Sequence, residues 1–278
     1  MKSKGWRGVG LFPWLAAIVA GGFFILFAVL ALLGLRALDV STNRILEERL
    51  VLAEMTASHI ERAVQQAFHE LQKATTFAAF DPAASNLVEE YHMLAHSYGR
   101  IGTMTLGVYF LDSRGKVVLA EPPEAANMDK TLLAIQSSLS QSGTRKISEP
   151  FTEPRTGHPT VAVTLAVRGR DGEVRSYLSG LIDLSSEVIM GPLKQSIRLG
   201  RTGHAELVTK EGIVIASTYT NYFLHPGEHM GFYRAALANP KGSIIDTVPY
   251  EANGKHTPEM HIMALVPLSV GGWGLAVG

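Results

Sequence analysis

Two pairs of histidines stand four residues apart, so that in a helix two imidazoles would lie one turn apart and could share a zinc ion. The pairs are His92 with His96, and His225 with His229 in the stretch HPGEH. A zinc site needs a third or fourth ligand. A glutamate lies near each pair in the sequence, but neither pair forms a recognised metal-binding signature. We therefore interpret the four histidines as partly exposed surface residues and expect no metal site.

No known catalytic motif occurs elsewhere in the chain. The sequence has no GxSxG nucleophile elbow, no P-loop and no HExxH zinc motif. The glycine-rich stretch GRTGHAE precedes a predicted strand rather than a helix, so it lacks the helix N-terminus that cradles a phosphate. An enzyme is disfavoured but stays an alternative, as does a structural or assembly protein without a ligand.

The charge balance and the absence of cysteine exclude further classes. The 278 residues include 25 basic and 25 acidic residues, so the formal net charge is zero. A neutral chain without a basic stripe has no electrostatic attraction for nucleic acid. Because there is no cysteine, disulfide frameworks, thiolate zinc sites and cysteine nucleophiles are excluded.

The N-terminus has the pattern of an uncleaved membrane helix. Three basic residues precede an uncharged, apolar stretch from Gly8 to Leu35. As a helix this stretch would be about 42 Å long, which exceeds the roughly 30 Å of a bilayer core. A signal peptide would have a shorter apolar core and a small-residue cleavage site. The basic residues predict a cytoplasmic segment over 1–8, a transmembrane helix over 9–36, and an extracytoplasmic remainder.

Residues 37–80 predict a long helix that follows the membrane helix without a flexible linker. The stretch from Leu38 to Phe80 contains no glycine or proline, and apolar residues recur at helical spacing with charged residues on the other face. About forty helical residues would reach roughly 60 Å. This helix is either a spacer or coiled-coil stalk, or a rigid rod that carries displacement between a distal domain and the bilayer.

One hairpin occurs twice in the remaining sequence. Residues 108–121, VYFLDSRGKVVLAE, align without a gap with residues 205–218, AELVTKEGIVIAST. Gly115 aligns with Gly212 in the turn, and β-branched residues follow both glycines. A helix-bearing connection and two or three further strands follow each hairpin. We therefore predict an α+β protein with two tandem units, each built on an antiparallel five-stranded sheet.

The predicted units divide close to a short helical segment. We place the first unit at residues 81–187 and the second at residues 188–278. The stretch DPAAS ends the long helix at the start of the first unit, and residues 187–199 are expected to be helical at the start of the second. Residues 128–143, MDKTLLAIQSSLSQSG, predict another helix inside the first unit.

This order of elements resembles the double Cache (tandem PAS-like) sensor domain of bacterial transmembrane receptors. The segments that carry the resemblance are GVYFLDSRGKVVLA, ISEPFTEPRTGHP, LSGLIDLSSE, LGRTGHAELVTKEGIVIAS and GGWGLAVG. It covers roughly residues 38–278 and implies a non-enzymatic sensing module that binds a small molecule, without a cofactor, in its membrane-distal unit. It also implies a homodimer in the inner membrane, mostly periplasmic, with a histidine kinase, chemoreceptor or diguanylate cyclase output.

The resemblance also suggests which residues meet the ligand. In amino-acid receptors of this family, an arginine and aromatic residues hold the carboxylate, and acidic residues hold the ammonium group. By motif context, Phe151 falls at a pocket aromatic, Glu153 and Asp183 at the acids, and Tyr109 at a strand aromatic. The alternative is that Asp183 caps a turn, Glu153 is a solvated loop residue and the two aromatic residues are core.

The expected ligand follows from a missing element. The arginine-x-tryptophan-tyrosine element of the amino-acid receptors should lie within residues 130–140, where this chain has KTLLAIQSSLS. Because a carboxylate needs a fixed cationic partner, an ordinary α-amino acid is disfavoured. Two acids without a base favour an amine-bearing or cationic ligand, held by charge pairing and cation–π contacts.

The sequence stops at Gly278 without a second membrane helix or an output domain, so we expect a clipped receptor.

The predicted orientation can be tested with reporter fusions. Alkaline phosphatase, which is active only in the periplasm, should be active when fused after Asp39 and inactive when fused before Gly8. A reporter that is active only in the cytoplasm provides the control and should give the opposite pattern. An inactive phosphatase after Asp39 together with an active one before Gly8 would overturn the orientation.

Overall fold

We obtained the structure as a computed structural model, which describes residues 11–127, 131, 135–136, 144–197, 203–218, 223–239, 244–252 and 255–278. The expected cytoplasmic segment and most of the helix expected over 128–143 lie outside these residues. The chain divides into two compact units, Met1–Glu48 and Arg49–Gly278.

The unit Met1–Glu48 contains, in its described part, the beginning of helix α1. This helix runs without interruption from Leu11 to Phe77. Its side chains from residue 14 to residue 38 are all exposed, although most of them are apolar. By length and composition this part of α1 is a candidate membrane span. Hydrocarbon, rather than water, suits such an exposed surface.

The unit Arg49–Gly278 is an α+β structure of helices and two antiparallel sheets. After α1 come the α-helices α2 (Val88–Ser97), α3 (Glu187–Ser196) and α4 (Met230–Leu237), and short 3-10 helices at Arg100–Gly102 and Pro123–Asn127. The first sheet contains β1 (Val108–Asp112), β2 (Val117–Glu121), β3 (Arg145–Ile147), β4 (Phe151–Thr152), β5 (Pro159–Arg168) and β6 (Val174–Asp183). The second contains β7 (Ala205–Thr209), β8 (Ile213–Ser217), β9 (His225–Pro226), β10 (Ile244–Ala252), β11 (Lys255–Pro267) and β12 (Trp273–Val277).

The two sheets have the same strand order. The first runs β2-β1-β6-β5-β3, and the second runs β8-β7-β12-β11-β10 along the equivalent path. A two-residue strand is added to each path, β4 beside β5 and β9 beside β8. The predicted pair of α+β units with five-stranded antiparallel sheets is therefore confirmed, with these short strands as additions.

The two aligned hairpins agree in the details of their turns. Gly115 and Gly212 have φ angles of +80° and +78°, a left-handed conformation that glycine adopts readily. Asp112 Oδ1 accepts two turn amides at 2.9 and 2.8 Å. Thr209 Oγ1, at the aligned position, accepts the two equivalent amides at 3.2 and 3.4 Å. The same local hydrogen bonds therefore close both turns with different side chains.

The buried face of α1 and the inner faces of both sheets form one hydrophobic core. From the sheets, this core includes Phe110 and Leu178 on one side and Leu207 and Leu275 on the other. Many α1 residues in the core are alanines, whose small side chains let the helix lie close to the strands. The α1 residues in this core are Ala53, Ala57, Ile60, Ala63, Val64, Ala67, Phe68, Leu71 and Ala74.

This core predicts a sharp contrast between two positions on α1. Ile60 is 0% exposed and Val51 is 53% exposed. We expect Ile60→Ala to lower the free energy of unfolding by about 2–5 kcal/mol, because it removes buried methyl groups and leaves a cavity. The matched control Val51→Ala should change it by less than about 0.5 kcal/mol. Urea unfolding of the full chain in detergent measures both values, and equal effects of the two changes would contradict the assigned core.

Candidate functional site

The alternation of side chains along the strands gives the first sheet two different faces. On β1, Val108 and Phe110 lie in the core shared with α1, whereas Tyr109 and Leu111 lie in a separate cluster on the opposite face. We call this opposite face the outer face. The other buried members of its cluster are Leu106, Ala120, Ala125, Ile135, Ala162, Ala166, Tyr177 and Leu181. The outer face is therefore mostly apolar, and its few polar groups stand out.

Tyr109 is fully buried in this layer, and its hydroxyl has no hydrogen-bond partner among the described residues. The ring folds back over Gly107, where an added Cβ would lie 3.1 Å from the ring and 3.2 Å from the hydroxyl oxygen. Burial raises the pKa of Tyr109, the Arg155 guanidinium lowers it and the Glu153 carboxylate raises it, with a net increase. The phenol therefore stays neutral near pH 7 and can donate or accept a hydrogen bond.

Glu153, just after β4, is buried and hydrogen-bonded within its own loop. Its Oε2 accepts the backbone amides of Arg155 and Thr156, each at 2.9 Å, and the Thr156 hydroxyl at 3.2 Å. Its Oε1 accepts Arg155 Nε at 2.8 Å. Burial raises the pKa of Glu153, but the hydrogen bonds to the ionised form outweigh it, so the net pKa is lowered. Glu153 thus stabilises the β4–β5 loop, and it is not a solvated residue.

Arg155 places a base beside the expected acids, so the premise of two acids without a base is wrong. Its guanidinium pairs with Glu153 through Nε and donates through Nη2 to the carbonyl oxygen of Leu106. Leu106 directly precedes Gly107, over which the ring of Tyr109 folds. Arg155 therefore ties the β4–β5 loop to the segment before β1 and brings a fixed positive charge into the surroundings of Tyr109.

Asp183, at the end of β6, also has partners within the chain. Its Oδ1 accepts the amide of Ser185 at 2.7 Å, so the interpretation of Asp183 as a turn cap is correct for this oxygen. Its Oδ2 lies 2.9 Å from Nδ1 of His158, which is the far end of the β4–β5 loop. The loop from Glu153 to His158 is therefore fixed at both ends.

The sheet register determines which of the expected residues lie close together. Phe151 pairs with Thr160, and Thr160 pairs with Asp183, so these three residues share one row. Tyr109 pairs with Ser179, which is four residues before Asp183 and so about 13 Å away along β6. Tyr109 and Phe151 nevertheless belong to the same apolar cluster. The structure brings the two aromatic residues together and places Asp183 further along the sheet.

Other buried hydroxyl groups of this unit had no signal in the sequence. Thr131, in the connection between β2 and β3, is fully buried, and its hydroxyl has no partner in the described part of the chain. Thr164 and Ser179 bond to each other at 3.0 Å in the row that contains Tyr109. The row of Tyr109, Ser179 and Thr164 is therefore a polar part of the outer face.

The histidine pairs that the sequence singled out have different surroundings. His92 and His96 are exposed on α2, and His96 contacts the guanidinium of Arg100. His225 is exposed on β9, whereas His229 is 5% exposed and stacks on His204, with ring centroids 6.0 Å apart. Within the described residues no group of three or more potential metal ligands occurs. The interpretation as surface residues is wrong for His229.

Comparison with known proteins identifies the family. A sequence model of the Cache domain family matches residues 39–278, which include both sheets and most of α1. The chain belongs to the Cache domain family. The resemblance seen in the hairpins and their flanking motifs is thereby confirmed. No curated protein sequence matches the chain at a significant level.

Solved structures with a similar fold are sensor domains of receptors. The extracellular domain of rpHK1S-Z16, described as a histidine kinase, has a TM-score of 0.65 and 16% identity, over 86% of this chain and 95% of that one. The periplasmic sensory domain of the Campylobacter jejuni chemoreceptor Tlp1 has a TM-score of 0.62 and 12% identity, over 85% of this chain and 94% of that one. The ligand-binding domain of the amino acid chemoreceptor PctC of Pseudomonas aeruginosa PAO1, solved in complex with GABA, has a TM-score of 0.54 and 18% identity. The match covers 81% of this chain and 95% of that one. At these identities the likeness establishes a shared Cache fold.

Part of the site in this Cache domain has a sequence signal that can be read locally. Arg155 and His158 follow Glu153 within the motif EPFTEPRTGHP, and a base two residues after an acid is a visible pattern. The bond from Arg155 to Leu106 spans 49 residues. No local pattern predicts that bond, because the sheet register alone brings these segments together.

The contacts of Glu153 predict that it stabilises the Cache domain. Glu153→Ala should lower the free energy of unfolding by about 2–3 kcal/mol, because it leaves buried donors and a partly buried guanidinium without their acceptor. The control Glu149→Ala, an exposed acid four residues earlier, should change it by less than about 0.5 kcal/mol. Urea unfolding at pH 7 measures both.

The contribution of Glu153 to the free energy of unfolding should depend on pH. The pKa of Glu153 is lowered from its ordinary value of 4.5, so its stabilising contribution is present above that value and is lost as the pH falls through the lowered pKa. The difference between wild type and Glu153→Ala should therefore shrink only in strong acid. A difference that already disappears near pH 6 would contradict an ionised, hydrogen-bonded Glu153.

Proposed function

We propose that this chain is the extracytoplasmic small-ligand sensing module of a membrane signal-transduction receptor. The observation that carries the proposal is the Tyr109 hydroxyl, which is buried on the outer face and has no partner among the described residues. A buried hydroxyl without a hydrogen bond is costly, and a bound polar ligand would supply the bond. Membership of the Cache family, whose solved relatives are sensor domains, supports the same function.

We propose that the ligand lies between Tyr109, Phe151 and the β4–β5 loop. Tyr109 provides the hydrogen bond, and Phe151, half-buried in the same cluster, provides apolar contact. Glu153 and Asp183 fix the two ends of the loop through Arg155 and His158. A loop fixed in this way needs little ordering when a ligand binds, which favours affinity.

The proposed ligand is a small molecule that bears an amine. With Arg155 included, the residues that fix the loop comprise two carboxylates and one guanidinium, so a net negative charge favours an ammonium group as long as His158 is neutral. This preference is weaker than the one expected from two acids alone. The related chemoreceptor PctC, which was solved with GABA, shows that this fold accommodates an amine-bearing ligand in that protein.

The proposed arrangement in the membrane follows from the sequence and the continuity of α1. Residues 1–8 are cytoplasmic, residues 9–36 cross the inner membrane, and residues 37–80 form a stalk. Residues 81–187 form the membrane-distal unit, and residues 188–278 form the membrane-proximal unit that relays the signal to a kinase, chemoreceptor or cyclase output. We propose a homodimer, because the resemblance to double Cache receptors implies one and Met55 is an exposed apolar side chain on α1.

A thermal-shift screen of the full chain in detergent tests the ligand and the site. Amines, amino acids and carboxylates are compared, and an amine should raise the Tm. Tyr109→Phe, which removes only the hydroxyl, should weaken binding of that amine about 10-fold or more, because one buried hydrogen bond is lost. Tyr177→Phe is the control, since Tyr177 is also buried on the outer face.

Specific outcomes of this screen would contradict the proposal. Carboxylates that stabilise the protein while amines do not would overturn the amine preference. Equal affinities in Tyr109→Phe and Tyr177→Phe would remove Tyr109 from the site.

A further inference from the structure

The second sheet carries a buried carboxylate at the position that Tyr109 occupies in the first sheet. The gapless alignment of the two hairpins pairs Glu206 with Tyr109. Both residues lie second in their strands, β1 and β7, and both are buried, with Glu206 7% exposed. The repeat thus replaces a phenol with a carboxylic acid at an equivalent place in the fold.

Unlike Tyr109, Glu206 is fully engaged by neighbouring hydroxyls. The Tyr233 hydroxyl donates to its Oε2 at 2.6 Å, and the Ser217 hydroxyl donates to its Oε1 at 3.3 Å. Ser217 faces Glu206 directly across the β7–β8 pair, and Tyr233 lies on α4. A single carboxyl group therefore connects two strands of the second sheet to the helix that covers it.

Among the described side chains, no basic group is hydrogen-bonded to Glu206 to compensate a negative charge there. No arginine or lysine bonds to Glu206 among the side chains that the structure describes, and its neighbour on β12 is Ala276. The segment that leads into α4 contributes another acid, Glu228, and the imidazole of His229. The rest of the layer beneath α4 is apolar, and its members are Val208, Val214, Tyr233, Ala236, Met263, Leu265 and Ala276.

Two imidazoles lie at the edge of the same layer. His229 meets the ring of Tyr233 edge-on, with centroids 6.2 Å apart, and stacks on His204, with centroids 6.0 Å apart. Imidazole side chains in general can change charge within the physiological pH range. Any test of Glu206 must therefore separate its proton from theirs.

We propose that Glu206 is a proton-operated latch, which couples the docking of α4 on the second sheet to the pH of the extracytoplasmic space. A protonated Glu206 is uncharged and still accepts the Tyr233 hydrogen bond, so it suits the apolar layer. An ionised Glu206 gains stronger hydrogen bonds, but it is a desolvated charge beside Glu228. Acidification therefore tightens α4 on the sheet, and a pH above the raised pKa of Glu206 loosens it.

The direction of the pH dependence follows from linkage. Burial raises the pKa of Glu206 above its ordinary value of 4.5, the Tyr233 and Ser217 hydrogen bonds lower it, and Glu228 raises it, with a net increase. The stabilising contribution is therefore fully present below pH 4.5 and is lost as the pH rises through the raised pKa. This input is independent of the ligand site on the first sheet.

Thermal unfolding of the full chain in nanodiscs between pH 5 and pH 8 tests the latch. Glu206→Gln keeps the shape and the acceptor but cannot titrate. Between pH 4.5 and the raised pKa of Glu206, the Tm of wild type should fall relative to Glu206→Gln by about 3 °C per pH unit, and it should level off above that pKa. Glu211→Gln, an exposed acid in the β7–β8 turn, is the control and should follow wild type. Identical profiles for wild type and Glu206→Gln would overturn the proposal.

A second variant and a local measurement give an independent test. Tyr233→Phe removes a hydrogen bond to the ionised form, so the midpoint of the pH transition should move up by about one pH unit. Hydrogen exchange of α4 amides, corrected for intrinsic rates, should show greater protection in acid for wild type and no such gain for Glu206→Gln. A transition that stays in place in Tyr233→Phe, or that disappears in His229→Gln, would assign the response to the histidines instead.

Discussion

The packing of one face of α1 against two sheets is the interaction on which the unit Arg49–Gly278 depends. The inner residues of both sheets are buried in the same hydrophobic core as the α1 residues between Ala53 and Ala74. Loss of this shared surface would expose the apolar inner face of each sheet at the same time. Because α1 covers the inner faces, the outer faces are free to differ in their chemistry, and the proposed ligand site and the proposed latch both lie there.

The two outer faces show how one fold supports two kinds of chemistry. At equivalent positions, the first sheet has the Tyr109 hydroxyl without a partner in the described residues, and the second has Glu206 bonded by Tyr233 and Ser217. The first arrangement leaves a buried hydroxyl to which the proposed ligand would bond. The second is complete within the chain, so the remaining variable is its proton. The shared strand order does not determine either property, which depends on single side chains.

The β4–β5 loop illustrates how charges that look free in a sequence are used to hold the backbone. Glu153 accepts amides of its own loop and pairs with Arg155, and Asp183 joins a turn amide to His158. Each carboxylate stabilises local structure through its partners in the chain. Its effect on a ligand is therefore limited to the electrostatic potential that remains after this pairing. For this reason the surroundings of Tyr109 carry less net negative charge than the two acids alone would provide.

The sequence by itself determined the elements and their repetition. Helical periodicity without glycine or proline predicts the long helix, and the gapless hairpin alignment predicts two similar sheets, because hydrophobic patterns and turn residues act over short distances along the chain. The tertiary structure alone decided the state of the site. The bond of Arg155 to Leu106, the folding of the Tyr109 ring over Gly107 and the contact of Tyr233 with Glu206 join residues from different elements. Burial and partners, and hence the pKa and hydrogen bonding of these groups, arise only when strand register and helix packing bring distant segments together.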